Sequence, residues 1–152
     1  MSELRDLYQE LILDHGKRPR NFRPIATASH RADGHNPLCG DKVTVFLAIE
    51  GDRITDVGFL GSGCAISIAS ASLMTEAIKG KAEAEVRTMF ERFHTGLTAK
   101  DEAAAAGAFA ALDKLVVFSG VREFPIRVKC AALPWRTLMA ALDHAQQPVK
   151  TE

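Results

Sequence analysis

The spacing of apolar residues changes from alternation to a helical period at the Gly-Ser-Gly of residues 61–63, and this change constrains the fold more than any other feature. Before it, apolar residues occupy alternate positions from Val43 to Ile49, which predicts a half-buried β-strand. A Glu-Gly-Asp turn at 50–52 leads into a second extended segment at 53–60, so the two segments are predicted to form a β-hairpin. Helices are expected to follow this hairpin, an order typical of α+β proteins.

Helical spacing predicts most of the other elements. The expected helices lie near residues 4–12, 64–80, 86–93, 98–116 and 135–142. A short edge strand is expected near residues 27–32, and Thr98 with Asp101 is predicted to open the fourth helix as a capping box. Pro125 is expected to break the chain before the last helix, with Pro134 in the first turn of that helix. The predicted fold is α+β, a small antiparallel three-stranded sheet packed against about five helices.

Composition and charge limit the kinds of partner. No repeat or boundary divides the chain, so residues 1–146 are predicted to form one domain and residues 147–152 a polar C-terminal tail. The chain has 19 Lys plus Arg residues and 19 Asp plus Glu residues, so these charges cancel. This balance predicts that the protein binds neither nucleic acid nor a membrane surface. The charged N-terminus lacks a signal-peptide core, and the longest apolar run, residues 103–112, is too short to span a bilayer. A cytoplasmic, reducing setting is expected, in which cysteines act as metal ligands or reactive thiols.

Two of the three cysteines flank the predicted hairpin. Cys39 and Asp41 lie on either side of Gly40, whose conformational freedom lets the backbone turn so that both side chains can point to one place. The hairpin returns the chain toward its start, so Cys64 is expected to arrive beside Cys39. Cys64 also lies at the predicted N-terminus of a helix, where free N–H groups and the helix dipole favour a thiolate.

The third cysteine, Cys130, is expected at or near a helix start, next to Lys129 and close to Arg127. These cations are expected to lower the pKa of its thiol. Three thiolates together with the Asp41 carboxylate would make a four-ligand tetrahedral site for a thiophilic metal.

Other interpretations of these residues remain open at this point. Free cysteines are often buried as small hydrophobic residues, and the long spacings here do not match a zinc finger. The glycines beside Cys39 and Cys64 favour a shared site, because glycine is expected where backbone must come close to a ligand. His35 is a weaker candidate ligand than Asp41. The remaining histidines are expected to be solvated and without partners, namely His15, His30, His94 and His144.

Three motifs carry a resemblance to a known family. Residues 36–41 (NPLCGD), 61–67 (GSGCAIS) and 127–131 (RVKCA) resemble the U-type iron–sulfur cluster assembly proteins, the family of IscU, SufU and the NifU N-terminal domain. The resemblance covers nearly the whole chain. It matches four residues of types that bind metals, together with the glycines beside them. Two features resemble the SufU type: a long insertion between the second and third cysteines, and Lys129 at the position of a histidine in IscU-type scaffolds.

The resemblance implies a fold, a cofactor and partners. It implies that Cys39, Asp41, Cys64 and Cys130 bind one Zn²⁺ ion and that Cys39 accepts persulfide sulfur from a SufS-type cysteine desulfurase. Arg127 matches a basic family position near the metal site, with Lys129 beside it. The sulfur would pass to downstream iron–sulfur assembly proteins. Because a carboxylate is a weaker partner for zinc than a fourth thiolate, ligand exchange at Cys39 is expected when a partner docks.

Two alternative functions remain. The same residues suit a scaffold on which a [2Fe–2S] cluster is assembled transiently and passed on, since cluster ligation uses thiolates. Lys129 argues against that function, because it replaces a histidine ligand. A domain with purely structural zinc is the third alternative, although structural sites are usually built from closely spaced Cys and His pairs.

Overall fold

The computed structural model describes residues 2–150, in which five α-helices and one 3₁₀ helix surround a four-stranded sheet. The strands are β1 (His30–Asn36), β2 (Asp41–Glu50), β3 (Arg53–Ser62) and β4 (Val149–Lys150). The α-helices are α1 (Ser2–Lys17), α2 (Ala65–Ile78), α3 (Glu83–Thr98), α4 (Glu102–Ala110) and α5 (Pro125–Leu142), and the 3₁₀ helix covers Asp113–Glu123. The α+β class is as predicted. Within the described part of the chain, no helix is both long and apolar enough to cross a membrane.

The sheet has the strand order β3-β2-β1-β4. The predicted hairpin is confirmed, because β2 and β3 pair antiparallel with Glu50 opposite Arg53. The edge strand predicted at 27–32 begins later, at His30, and pairs antiparallel with β2. The predicted number of three strands is one too few. Val149 and Lys150 lie in the segment expected to be a tail, but they pair in parallel with β1. A strand of two residues is too short to be recognised from an alternating pattern of apolar residues.

The core lies between one face of the sheet and the helices. Val45 and Leu47 of β2 and Phe59 of β3 are fully buried, as their alternating positions require. Trp135 of α5 stacks on Phe93 of α3 with ring centroids 5.0 Å apart, which joins the two helices. This packing fixes α5, and with it Cys130, against the sheet.

The boundaries of α4 differ from the prediction. Its N-cap is Asp101, whose carboxylate accepts a hydrogen bond from the N–H of Ala104 at 3.0 Å, whereas Thr98 is the last residue of α3. The α-helix ends at Ala110, and a 3₁₀ helix begins at Asp113, which has a positive φ of 54°. A left-handed residue interrupts an α-helix, so one predicted helix becomes two elements.

Helix α5 also begins earlier than predicted. Pro125 is its first helical residue rather than a break, because the fixed φ of proline suits that position. Consequently Cys130 lies in the second turn, and Pro134 lies inside the helix instead of in its first turn. Pro134 has no N–H to donate to the carbonyl of Cys130, four residues earlier, so the helical hydrogen bond at Cys130 is lost.

Candidate metal centre

The loop that joins β1 to β2 carries Cys39 and leads directly into Asp41. Asn36 pairs with Asp41 across the hairpin, and residues 37–40 form the loop between them. Gly40 has a φ of 71°, a left-handed conformation that a glycine adopts without steric strain. Cys39 is partly exposed on this loop, whereas Asp41 is fully buried as the first residue of β2.

Helix α2 brings Cys64 to the same place. Cys64 is the N-cap of α2, as predicted, and its backbone N–H donates to Oδ1 of Asp41 at 2.8 Å. Its Sγ atom lies 3.9 Å from the other oxygen of Asp41. A Cβ on Gly63 would overlap Oδ1 of Asp41 and lie 2.8 Å from Asp41 Cα, so the glycine permits this approach. The expectation that glycine marks a close backbone approach is confirmed here.

Helix α5 supplies Cys130, which is buried. Its Sγ atom, the Sγ atom of Cys39 and a carboxylate oxygen of Asp41 lie within 4.8 Å of one another. Cys64 adjoins this group through Asp41. The structure therefore brings Cys39, Asp41 and Cys130 within 4.8 Å of one another, whereas the sulfur of Cys64 contacts Asp41 without joining that group.

The electrostatics of Cys130 differ from the prediction. Burial raises the pKa of its thiol, and hydrogen bonds with Asp41 and Cys39 raise it further. The expected lowering by nearby cations is wrong. The guanidinium of Arg127 lies 5.2 Å from the ring centre of Phe124, on an exposed part of α5, and burial of the thiol dominates.

The donor set suits a thiophilic cation. The two sulfurs and one carboxylate oxygen of this group are ligand types that zinc accepts, and the Cys64 sulfur, 3.9 Å from Asp41, would be the fourth ligand of its usual coordination. Thiols and carboxyl groups carry negative charge when ionised. Ionising several of them close together is unfavourable unless a cation lies among them. Lys129 does not supply that charge from within the group, since it lines a separate groove beside Ala132 and Arg136.

The histidines lie apart from this group or have other partners. His35 precedes Asn36 in β1, and because consecutive strand residues point to opposite faces, it points away from Cys130. His15 is only 1% exposed, and its Nδ1 atom lies 2.7 Å from Oγ of Ser72. His30 stacks on His144 with ring centroids 4.1 Å apart. His94 stacks on Phe90 with ring centroids 6.0 Å apart, so the expectation of solvated histidines without partners is wrong for all four.

The sequence analysis missed Asn36 as a site residue. Asn36 is fully buried, and its side-chain N–H group donates to Sγ of Cys130 at 3.7 Å. Its position before Pro37 indicates a turn, but no local pattern reveals a contact with a residue so distant along the chain.

Comparisons with known proteins agree with this arrangement. The family model of the NifU-like N-terminal domain matches residues 7–131. The zinc-dependent sulfurtransferase SufU of Bacillus subtilis is 40% identical over 139 residues, which cover 90% of this chain and 90% of that protein. The iron–sulfur cluster assembly scaffold protein IscU of Streptococcus pyogenes serotype M1 is 32% identical over 145 residues, covering 95% of this chain and 88% of that protein.

Solved structures give the same relationship. The SUF-system protein FiSufU of the thermophile Fervidobacterium islandicum AW-1 superposes with a TM-score of 0.77 at 38% identity, covering 88% of this chain and 94% of that one. The N-terminal part of a NifU-like protein from Brucella abortus shares the fold, with a TM-score of 0.76 at 23% identity over 92% of this chain and 94% of that one. The chain therefore belongs to the NifU-like N-terminal domain family of iron–sulfur cluster assembly proteins, as a member of the SufU type.

Proposed function

We propose that this protein is a zinc-dependent acceptor and carrier of persulfide sulfur, which it receives from a SufS-type cysteine desulfurase on Cys39. The observation that carries the proposal is the position of Cys39 on a partly exposed hairpin loop, beside the buried carboxylate of Asp41 and the buried thiol of Cys130. The similarity to a zinc-dependent sulfurtransferase supports the same function.

The proposed zinc ligands are Cys39, Asp41, Cys64 and Cys130. A borderline-soft metal prefers thiolates and tolerates one carboxylate, and the grouping of Cys39, Asp41 and Cys130, with Cys64 against Asp41, supports this ligand set. When bound, zinc holds its cysteine ligands in the thiolate form at neutral pH.

The four residues differ in how firmly the chain holds them. Asp41 begins a strand and accepts a hydrogen bond from Cys64, which caps a helix, while Cys130 is buried within another helix. Cys39 alone among them lies on a loop between two strands. The sulfur of Cys39 can therefore move toward a partner with the smallest disturbance of the fold.

Transfer of sulfur to Cys39 requires no external oxidant or reductant, because Cys39 is oxidised to a persulfide while the donor persulfide is reduced to a thiolate. The Cys39 thiolate attacks the terminal sulfur of the persulfide on the desulfurase, and a new S–S bond forms at Cys39 Sγ. The S–S bond of the donor breaks, and its electron pair leaves with the donor cysteine as a thiolate. Cys39 then carries the sulfur as a persulfide that a downstream iron–sulfur assembly protein can accept.

Exposed apolar side chains next to Cys39 and at the start of α5, the helix that carries Cys130, support docking of the desulfurase at this site. Leu38, next to Cys39, is 62% exposed, and Phe124 and Ile126 near the start of α5 are 50% and 59% exposed. Exposed apolar side chains of this size are typical of protein contact sites rather than of a solvated surface. The partner would cover these side chains while its persulfide reaches Cys39.

A second function, assembly of a [2Fe–2S] cluster on this chain, is favoured by the similarity to proteins named as scaffolds. Three thiols and a carboxylate are sufficient in number to hold such a cluster. Lys129 lies in a separate groove, and its ammonium group cannot take the place of an imidazole ligand.

The steady-state turnover of a SufS-type desulfurase separates the two functions. The zinc-loaded protein is expected to increase the rate of alanine formation from cysteine, and the Cys39→Ser variant is expected to have no effect. Addition of ferrous iron and sulfide to the protein should give no stable cluster absorption. A stable cluster together with unchanged desulfurase turnover would contradict the proposal and favour the scaffold function.

A further inference from the structure

Asn36 connects the Cys39 loop to Cys130 through three hydrogen bonds. Its side-chain carbonyl accepts from the N–H of Leu38 at 3.2 Å, and its backbone carbonyl accepts from the N–H of Cys39 at 3.3 Å. Its side-chain N–H group donates to the sulfur of Cys130 at 3.7 Å. Asn36 is 0% exposed and its bond to Cys130 is buried, so water does not compete for that contact.

The orientation of this amide is fixed by its partners. The N–H of Leu38 requires an acceptor, so the amide oxygen must face the loop and the NH₂ group must face Cys130. An aspartate or a leucine at this position could not make both contacts, because the first lacks the donor and the second lacks both groups.

The donor reaches only one of the candidate ligand sulfurs. Among residues 2–150, Asn36 gives its side-chain N–H to Cys130, and no side-chain amide donates to the sulfur of Cys39 or of Cys64. A hydrogen bond to a metal-bound thiolate orients the ligand and stabilises its charge, and groups that do this contribute strongly to metal affinity.

We propose that Asn36 is a positioning residue that keeps Cys130 as the retained metal ligand while the Cys39 loop reacts. This inference rests on the proposed zinc-dependent function. The side-chain N–H of Asn36 holds the Cys130 sulfur, and its two carbonyl oxygens anchor the base of the loop at Leu38 and Cys39. The backbone at the base of the loop and the Cys130 sulfur are thereby held in place while the Cys39 side chain moves.

The test compares metal binding by the whole protein in four forms: wild type, Asn36→Leu, Asn36→Ala and a control. Leucine fills the buried space without a donor, and alanine removes the same groups without adding bulk. The control is Ser70→Ala, which removes a buried 2.6 Å hydrogen bond to the carbonyl of Ala131, next to Cys130, without touching a ligand sulfur. Co²⁺ is the probe, because its thiolate charge-transfer absorption reports directly on the sulfur ligands.

Both Asn36 variants are expected to bind Co²⁺ about 10- to 100-fold more weakly than the wild type, as measured by chelator competition. Their thiolate charge-transfer band should move to lower energy, since the Cys130 sulfur loses a donor that stabilises its lone pairs. Ser70→Ala should keep the wild-type band even if its folding stability falls. In the metal-loaded protein, N-ethylmaleimide should label Cys39 before Cys130 in the wild type, and this order should be lost in both Asn36 variants.

Wild-type affinity, band position and labelling order in the Asn36 variants would overturn the inference while leaving the proposed function intact. A band shift in Ser70→Ala equal to that of the Asn36 variants would also overturn it, since the effect would then be general loosening of α5. If the wild type bound no Co²⁺ or Zn²⁺, the proposed zinc-dependent function itself would fail, independently of any variant.

Discussion

The carboxylate of Asp41 accepts a hydrogen bond from the backbone N–H of Cys64 at 2.8 Å, which ties the first residue of β2 to the N-cap of α2. One oxygen of the carboxylate is thereby used for the helix terminus, and the other lies 3.9 Å from the sulfur of Cys64. Asp41 therefore stabilises the α2 N-terminus, and we propose that it has a second, separable role as a ligand of the candidate metal centre.

The two roles of Asp41 can be separated by substitution. Asp41→Asn keeps an oxygen that can accept from Cys64, whereas Asp41→Ala removes it. We expect Asp41→Asn to retain most of the folding stability but to bind zinc on the order of tenfold more weakly, because a charged ligand is lost. Asp41→Ala should lose both folding stability and zinc affinity. Zinc affinity by chelator competition and denaturant unfolding measure the two effects, and unchanged zinc affinity in Asp41→Asn would exclude Asp41 as a ligand.

Gly63 is predicted to be essential for the approach of Asp41 to α2. Its φ is 138°, and a Cβ would overlap Oδ1 of Asp41. We expect Gly63→Ala to lower the free energy of unfolding by more than the roughly 1–3 kcal/mol of backbone strain alone. Gly80→Ala is the matched control, because Gly80 has a φ of 84° but no atom within 4 Å of its Cβ position. Equal losses in the two variants would show that overlap with Asp41 contributes nothing.

Buried His15 predicts a decrease in stability at mildly acid pH. Burial lowers the pKa of His15, and the opposing effect of Glu76 is smaller than that of burial. The unfolded chain therefore binds a proton at His15 more readily than the folded chain, so stability is complete above about pH 6.5 and falls as pH decreases below it. Unfolding free energies between pH 7.5 and pH 5 (roughly the range of histidine titration) should fall more steeply in the wild type than in His15→Gln. Parallel pH profiles would contradict this assignment.

Leu38, which is exposed and next to Cys39, is predicted to contact the desulfurase. Leu38→Asp should raise the concentration of this protein that gives half-maximal desulfurase stimulation by about tenfold, which corresponds to about 1.4 kcal/mol of binding energy. Zinc content should stay unchanged. Leu13→Asp is the control, because Leu13 is 51% exposed but lies on α1. If Leu13→Asp had the same effect as Leu38→Asp, the surface beside Cys39 would have no special role.

Local patterns predicted the elements that depend on local interactions. The β2–β3 hairpin follows from alternation and a short turn, and Cys64 at a helix N-terminus follows from the glycines before it. Strand β4 was missed because Val149 pairs with Gly34, far away in sequence, over two residues only. No periodicity reports a contact of that kind.

In the candidate site, too, the features that depend on local interactions could be predicted from the sequence, and those that depend on tertiary contacts could not. The convergence of Cys39, Asp41 and Cys64 could be predicted because one hairpin joins them. The raised pKa of Cys130 could not, since it depends on how deeply α5 packs against the sheet. The contact of Asn36 with Cys130 joins residues on two separate elements, and only the tertiary structure brings them together.

The most direct test of the central claim is intact-mass spectrometry of the zinc-loaded protein after a single turnover with a cysteine desulfurase and cysteine. The account predicts the mass of one added sulfur atom on the wild type and no added sulfur on Cys39→Ser. Tryptic mapping should place the sulfur on Cys39. An unmodified wild type with intact zinc, or full sulfur loading of Cys39→Ser, would contradict the account.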